Sequence, residues 1–242
     1  MKLKGKTAFI TGAGGGIGRA IAISLAKEGA DLVLFGGNNL EKLNLTKEQV
    51  ELLGAKCLIF NGDLTNDEVL DKVFSDALSK VGKIDILINN AGVAQSEEFD
   101  KISSQALDKI MNINFRAPYL LTQKAMPYLY KSDYATIVNV ASVVAHAGYP
   151  LQSAYVASKH ALLGFTKALA TEVYDKGVRV HAVSPGGVYT DMIKVSRPDL
   201  TADGMIQPKE IADIVNFLVC NRGNAVIDEI IVHRVNKQPF LV

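Results

Sequence analysis

The chain has 242 residues, of which 48% are hydrophobic and 21% charged, with a formal net charge of +1. That length can bury a large core as one α/β domain, and the charge balance gives no electrostatic reason to expect nucleic acid or an anionic membrane as a partner. Cys57 and Cys220 are scattered and lack CxxC spacing, which argues against a disulfide framework or zinc site. The basic start, Met1 to Lys6, is not followed by the apolar core of a signal peptide. No run approaches the roughly 18–20 apolar residues of a membrane span, so a cytoplasmic protein is expected.

Along the chain, apolar strand-like runs alternate with amphipathic stretches, the pattern of a parallel sheet covered by helices. Strands are expected at 6–11, 31–36, 56–61, 84–89, 135–141, 178–183 and 226–232. Helices are expected at 17–28, 39–53, 66–81, 103–130, 153–176 and 208–220. The runs Ile86-Leu87-Ile88 and Thr136 to Val140 are continuous, as in strands buried on both faces. No linker, composition shift or repeat divides residues 1–242, so one domain is expected. The stretch 190–207 breaks the alternation with Pro198 and Gly204 and fits no element. It reads as an active-site lid, with a plain surface loop as the bland alternative.

After the first strand comes Thr11-Gly12-Ala13-Gly14-Gly15-Gly16-Ile17-Gly18. A glycine-rich turn between a strand and a helix lets backbone N–H groups approach a pyrophosphate at the helix N-terminus. The glycine spacing differs from the common Gly-x-Gly-x-x-Gly pattern. Asp63, after the third strand, and Asn89-Asn90-Ala91-Gly92, after the fourth, lie at carboxyl ends of strands, where ligands bind in such sheets. For Asp63 the bland alternative is a turn or cap, and for Asn-Asn-Ala-Gly a tight turn. Tyr155 and Lys159 stand four residues apart, on one helix face, with Ser142 upstream at a strand end. An ammonium beside a phenol favours the phenolate, so this pairing suits a tyrosine that moves a proton. Neither motif is decisive alone. No histidine or cysteine cluster has metal-ligand spacing, so no metal is assigned.

The glycine turn, Asn-Asn-Ala-Gly, Asn114, Ser142, Tyr155-x-x-x-Lys159 and Ser184-Pro185-Gly186 together resemble the short-chain dehydrogenases/reductases, in family order over nearly the whole chain. The resemblance implies a single Rossmann-like, doubly wound domain with a seven-stranded parallel sheet and helices on both faces. It also implies a nicotinamide dinucleotide cofactor, interconversion of an alcohol and a carbonyl, and a homotetramer or dimer. By the same resemblance Tyr155 is the general acid/base and Lys159 lowers its pKa and binds the nicotinamide ribose. Ser142 holds the substrate oxygen, and Asn114 continues a proton relay, with Asn112 as competitor. Cofactor contacts are expected from Gly12, Gly14, Gly15, Gly16, Ile17 and Gly18. Further contacts are expected from Asn38, Asp63, Leu64, Asn90, Ala91, Gly92, Tyr155 and Lys159, and at the nicotinamide end from Pro185, Gly186, Val188 and Thr190. His146, Tyr149, Leu151 and Gln152 fall where the family places substrate contacts. His181 and His233 read as structural.

Two places depart from the family pattern. Phe35-Gly36-Gly37-Asn38-Asn39 ends the second strand with neither the acid that selects NAD nor the arginine that selects NADP. A weak preference for NADP(H) is expected, with NAD(H) possible. The C-terminal strand runs Val226 to Arg234 without the Val-Asn/Asp-Gly-Gly turn of 3-oxoacyl-thioester reductases, which leaves the substrate open. The rival reading is a catalytically silent dinucleotide sensor or scaffold. A nucleotide-sugar epimerase is weaker still, because no room remains for its extra domain.

Overall fold

A strand in a covered parallel sheet must be apolar on both faces, and β1 (Thr7–Thr11) is buried at every residue. The structure, a computed structural model, describes residues 1–196 and 201–238. After β1 come α1 (Gly16–Lys27), β2 (Asp31–Gly36), α2 (Leu40–Glu51), β3 (Cys57–Asn61), α3 (Asp67–Val81) and β4 (Ile86–Asn89). The second half holds α4 (Ser104–Met111), α5 (Ala117–Leu129), β5 (Thr136–Val140), α6 (Ser153–Val173), β6 (Arg179–Pro185), α7 (Asp191–Ser196), α8 (Pro208–Cys220) and β7 (Glu229–Val232). The seven strands are all parallel, in the order β3-β2-β1-β4-β5-β6-β7. This is the doubly wound, Rossmann-like arrangement. The order reverses beside β1, which pairs with β2 on one side and β4 on the other, and a crevice opens there at the carboxyl ends.

Alternation along each strand divides the core in two. Ala8, Ile10, Leu32, Leu34, Ile86 and Ile88 pack with residues of α1, α2 and α8. Phe9, Val33, Leu87 and Ile137 turn to the other face, against residues of α3, α5 and α6. One β1 residue therefore feeds one layer and the next feeds the opposite layer. Helix α3 has clear ends: the Asn66 carboxamide oxygen accepts the N–H groups of Glu68 and Val69, and Gly82 closes the helix at φ +70°.

Three elements differ from the sequence expectation. The helix expected over 103–130 is interrupted: α4 passes through a π-helical turn at Asn112–Arg116 before α5 begins. The last strand covers only Glu229–Val232 rather than 226–232. The segment expected to lack regular structure contains α7, and an isolated bridge joins Val188 to Ile206. Residues 197–200 of that expected lid lie outside the described residues. Among the described residues no helix is long and apolar enough to cross a membrane.

Candidate active site

The glycine turn is shaped by contacts that leave no room for side chains. A Cβ on Gly18 would stand 2.2 Å from the Gly12 carbonyl oxygen, and one on Gly12 would stand 2.8 Å from Asn90 Nδ2. Gly12 also holds φ +67° and Gly16 φ +51°, a region that favours glycine. Around the turn, the Thr11 hydroxyl accepts the N–H groups of Asn90 and Ala91, both at 3.0 Å. The Asn90 carboxamide donates back to the Thr11 carbonyl at 3.0 Å. Arg19 donates to the Gly14 and Lys42 carbonyls at 2.6 and 3.0 Å and to the Thr46 hydroxyl at 2.9 Å. Helix α1 then starts at Gly16 with no side-chain cap and no acidic residue in its first turn. Its N-terminal N–H groups are suited to an anion.

This turn forms one wall of a cavity of about 460 Å³, within the range of ligand pockets. Gly12, Gly15, Gly16 and Ile17 line it, with Asn90, Ala91 and Gly92 beside them. The opposite wall carries Ser142, Tyr155 and Lys159, and the floor Pro185, Gly186, Val188 and Thr190. Tyr149 and Gln152, from the segment expected to touch substrate, also reach it. His146, which instead meets Glu229 at 2.7 Å, and the exposed Leu151 do not reach it. Six of the residues expected to be catalytic or to touch the cofactor do not line this cavity either. Gly14 contacts the Lys42 stem, Gly18 packs on Gly12, and Asn38 and Asp63 are exposed. The Asp63 carboxylate accepts the Thr65 N–H at 2.9 Å, a turn contact, and Leu64 packs against the α3 side of the core. Asn114 sits behind the wall.

Asn114 occupies the π-helical turn and is fully buried. Such turns often mark functional sites. Its carboxamide oxygen accepts the Val93 N–H at 2.8 Å, and its nitrogen donates to the Val93 carbonyl at 2.9 Å and the Ser158 hydroxyl at 3.0 Å. Below it, Asn89 donates to Asn139 at 2.8 Å and to Thr122 at 3.1 Å, and Asn139 donates to Thr166 at 2.8 Å. This polar string ties β4 and β5 to α5 and α6 beneath the site.

The Tyr155 hydroxyl is hydrogen-bonded to Ser142, which favours the phenolate, yet desolvation in the cavity wall is the larger effect and pushes its pKa above the ordinary phenol range. Burial alone brings Lys159 down to about 8. Its ammonium donates to the Val140 carbonyl at 2.8 Å and lies 5.9 Å from the Tyr155 ring centre. The expected lowering of the tyrosine by its lysine is not seen: the lowering contact is Ser142, and burial outweighs it. Ser142 is held by the Pro185 carbonyl at 3.3 Å and accepts the Val144 N–H at 3.4 Å.

Sequence reading missed several residues that shape the site. Gln95 is buried, and its carboxamide oxygen accepts the N–H groups of Ala154 and Tyr155 at 2.9 and 3.2 Å. It thereby caps α6, whose own N-cap residue, Gln152, offers no side-chain bond. The Glu97 N–H reinforces this stitch by donating to the carbonyl of Leu151, a residue at φ +64°. Lys42, at the start of α2, reaches Asp191 of α7 at 2.6 Å, and both line the cavity. Nothing local in the sequence marks these pairs, because their members lie 59, 60 and 149 positions apart. His233 also lines the cavity, with Arg234 and Lys237, and so is not the purely structural strand residue expected. His181 is buried in β6 with Nδ1 2.6 Å from the Ile227 carbonyl, and burial lowers its pKa. Among the described residues no cluster of three His, Cys, Asp or Glu could hold a metal.

Residues 6–201 match the family model described as short chain dehydrogenase. A 3-oxoacyl-[acyl-carrier-protein] reductase of Thermotoga maritima is 33% identical over 241 residues, covering 96% of this chain and 97% of the relative. The chain belongs to the short-chain dehydrogenase family. It is thus an NAD(P)-dependent oxidoreductase. Carveol dehydrogenase from Mycobacterium avium, solved with NAD, superposes with a TM-score of 0.86 at 25% identity, covering 96% of each chain. A metagenomic short-chain oxidoreductase solved with NADP superposes with a TM-score of 0.85 at 29% identity, covering 97% of this chain and 99% of that one.

Proposed function

We propose that this short-chain dehydrogenase interconverts a ketone and a secondary alcohol, with Tyr155 as general acid/base. The observation that carries this reading is the convergence of Ser142, Tyr155 and Lys159 on one wall of the cavity whose other wall is the glycine turn. The site fits a nicotinamide dinucleotide. Gly12 and Gly16 keep the turn free of side chains, the uncapped start of α1 offers N–H groups to the pyrophosphate, and Pro185 to Thr190 would flank the nicotinamide. When bound, the dinucleotide supplies a hydride in reduction or accepts one in oxidation.

In reduction, Ser142 would donate to the carbonyl oxygen and hold it beside the Tyr155 hydroxyl, which gives up its proton to the developing alkoxide. The raised pKa of Tyr155 keeps that proton in place at neutral pH. Lys159, charged below about 8, would stabilise the resulting phenolate. In oxidation the same proton path runs backwards. The described residues of 190–207, on either side of 197–200, act as a lid, and Asp191 ties them to Lys42 beside the cavity.

Neither charge type that selects a cofactor follows β2, and Lys42 is a cation beside the glycine turn. NADP(H) is therefore weakly preferred and NAD(H) is accepted. The protein works in the cytoplasm as a homo-oligomer, a tetramer or dimer. Tyr155→Phe removes one hydroxyl and should lower kcat by about 10²–10⁴ while leaving cofactor Kd within about threefold. Nicotinamide absorbance across a ketone and alcohol panel, with equilibrium titration of cofactor, measures both. Tight cofactor binding without turnover of any panel member would instead favour a sensor.

A further inference from the structure

The wall formed by the chain's last described residues carries two cations, Arg234 and Lys237, and no acid. Arg234 follows β7 and folds back over the loop after β6: its Cδ would stand 3.3 Å from a Cβ placed on Gly187. Its guanidinium is half-buried and has one hydrogen-bond partner among the described residues, the Met205 sulfur at 3.3 Å. A thioether is a weak acceptor, so most of the five guanidinium donors remain free to meet an incoming acceptor in a partly desolvated place. Lys237 and His233 line the same wall. Neither Arg234 nor Lys237 has an ion-pair partner among the described residues. Asp191 is the only acidic residue lining this cavity among them, and it is engaged by Lys42 and Lys194.

We infer that the substrate carries an anionic group, a carboxylate or a phosphate, which Arg234 holds at this wall while Ser142 and Tyr155 take the carbonyl. A planar guanidinium suits such oxygens, since two parallel N–H groups can meet two oxygens at once. Gly187 leaves room for the arginine stem, because a Cβ there would press on it at 3.3 Å and on Met205 at 3.0 Å. Lys237 stands at the rim and adds attraction for an incoming anion.

This inference rests on the ketone/alcohol reading, and the test separates the two. Turnover is measured for oxo acids graded in chain length, for their methyl esters, and for dihydroxyacetone phosphate against dihydroxyacetone. The wild type should prefer the anionic member of at least one pair. Arg234→Met should lower kcat/KM for that anion about ten- to hundredfold, leave its neutral counterpart within about threefold, and leave Kd for NADPH unchanged. The preferred pair tells carboxylate from phosphate. Turnover of neutral ketones with no advantage for either anion would overturn the inference and leave the ketone reading standing. An anion preference that survives Arg234→Met, or a variant that loses only NADPH affinity, would overturn it too. No turnover of any member would sink the ketone reading itself.

Discussion

The two ends of the cavity are built from different material. At the nucleotide end the work falls to the backbone: bare glycines, the open N-terminus of α1, and the Thr11–Asn90 clasp that fixes their spacing. At the substrate end it falls to side chains from separate places, namely Tyr149 and Gln152 before α6, residues of α7, and Arg234 after β7. A backbone cradle tolerates few substitutions, since an added Cβ on Gly18 meets the Gly12 carbonyl oxygen at 2.2 Å. A wall of side chains can be redrawn one residue at a time. The contrast explains how one family keeps one class of cofactor while its substrates diverge.

If the two ends are separable, cutting the stitch between them should slow turnover and spare cofactor binding. Gln95→Met keeps the bulk of the side chain but leaves the Ala154 and Tyr155 N–H groups without their acceptor. It should lower kcat about ten- to hundredfold with cofactor Kd within about threefold, whereas Gln95→Glu, which keeps the acceptor and suits a helix N-terminus, should recover most of the rate. Hydrogen exchange of the peptide containing Tyr155 should speed up in the Met variant alone. Equal losses of kcat and of cofactor affinity would mean the two ends act as one unit.

Lys159 serves both ends, and its burial sets up a conflict between function and stability. The folded protein holds its pKa at about 8, down from 10.5. A lowered lysine value means folding disfavours the charged form. That penalty is present in full below about 8 and fades as pH rises toward 10.5, where the unfolded chain loses its proton as well. Lys159→Met should therefore be inactive yet more stable near neutral pH, by on the order of 1–2 kcal/mol. Denaturation midpoints should show that gain shrinking towards pH ~10. A less stable variant near neutrality would show that the bond to the Val140 carbonyl outweighs desolvation.

The smallest effect expected lies at the end of β2. A Cβ on Gly37 would meet nothing within 4 Å, so Gly37→Arg adds a cation without a clash. It should tighten NADPH relative to NADH by about tenfold and leave the preference between oxo acid and ester untouched. If the substrate preference moved as well, the ends would not be independent.

Much of this was legible in the sequence, for physical reasons. Continuous apolar runs mark strands buried on both faces, and the glycine turn reports a local backbone requirement. Tyr155 and Lys159 share a helix face through spacing alone. The π-helical turn at Asn112–Arg116 was not legible, because an extra residue in one turn barely changes the apolar pattern. Neither were the long-range partners: the Gln95 cap, the Lys42–Asp191 tie, and the return of Arg234 to the cavity. The sequence presents His233 as a strand residue, whereas β7 ends at Val232 and the chain beyond it lines the cavity.

The place of β1 between β2 and β4 also governs the order in which the chain can assemble. Residue 8 pairs with Leu32 on one side but with Ile86 on the other. During synthesis, at roughly 5–20 residues per second, one edge of this apolar strand waits several seconds for its second neighbour. Gly12 and Gly18 press against Asn90, so the nucleotide cradle cannot close before that neighbour arrives. A nascent chain halted short of β4 therefore offers an open, apolar strand edge to its surroundings and no cradle with which cofactor binding could rescue it.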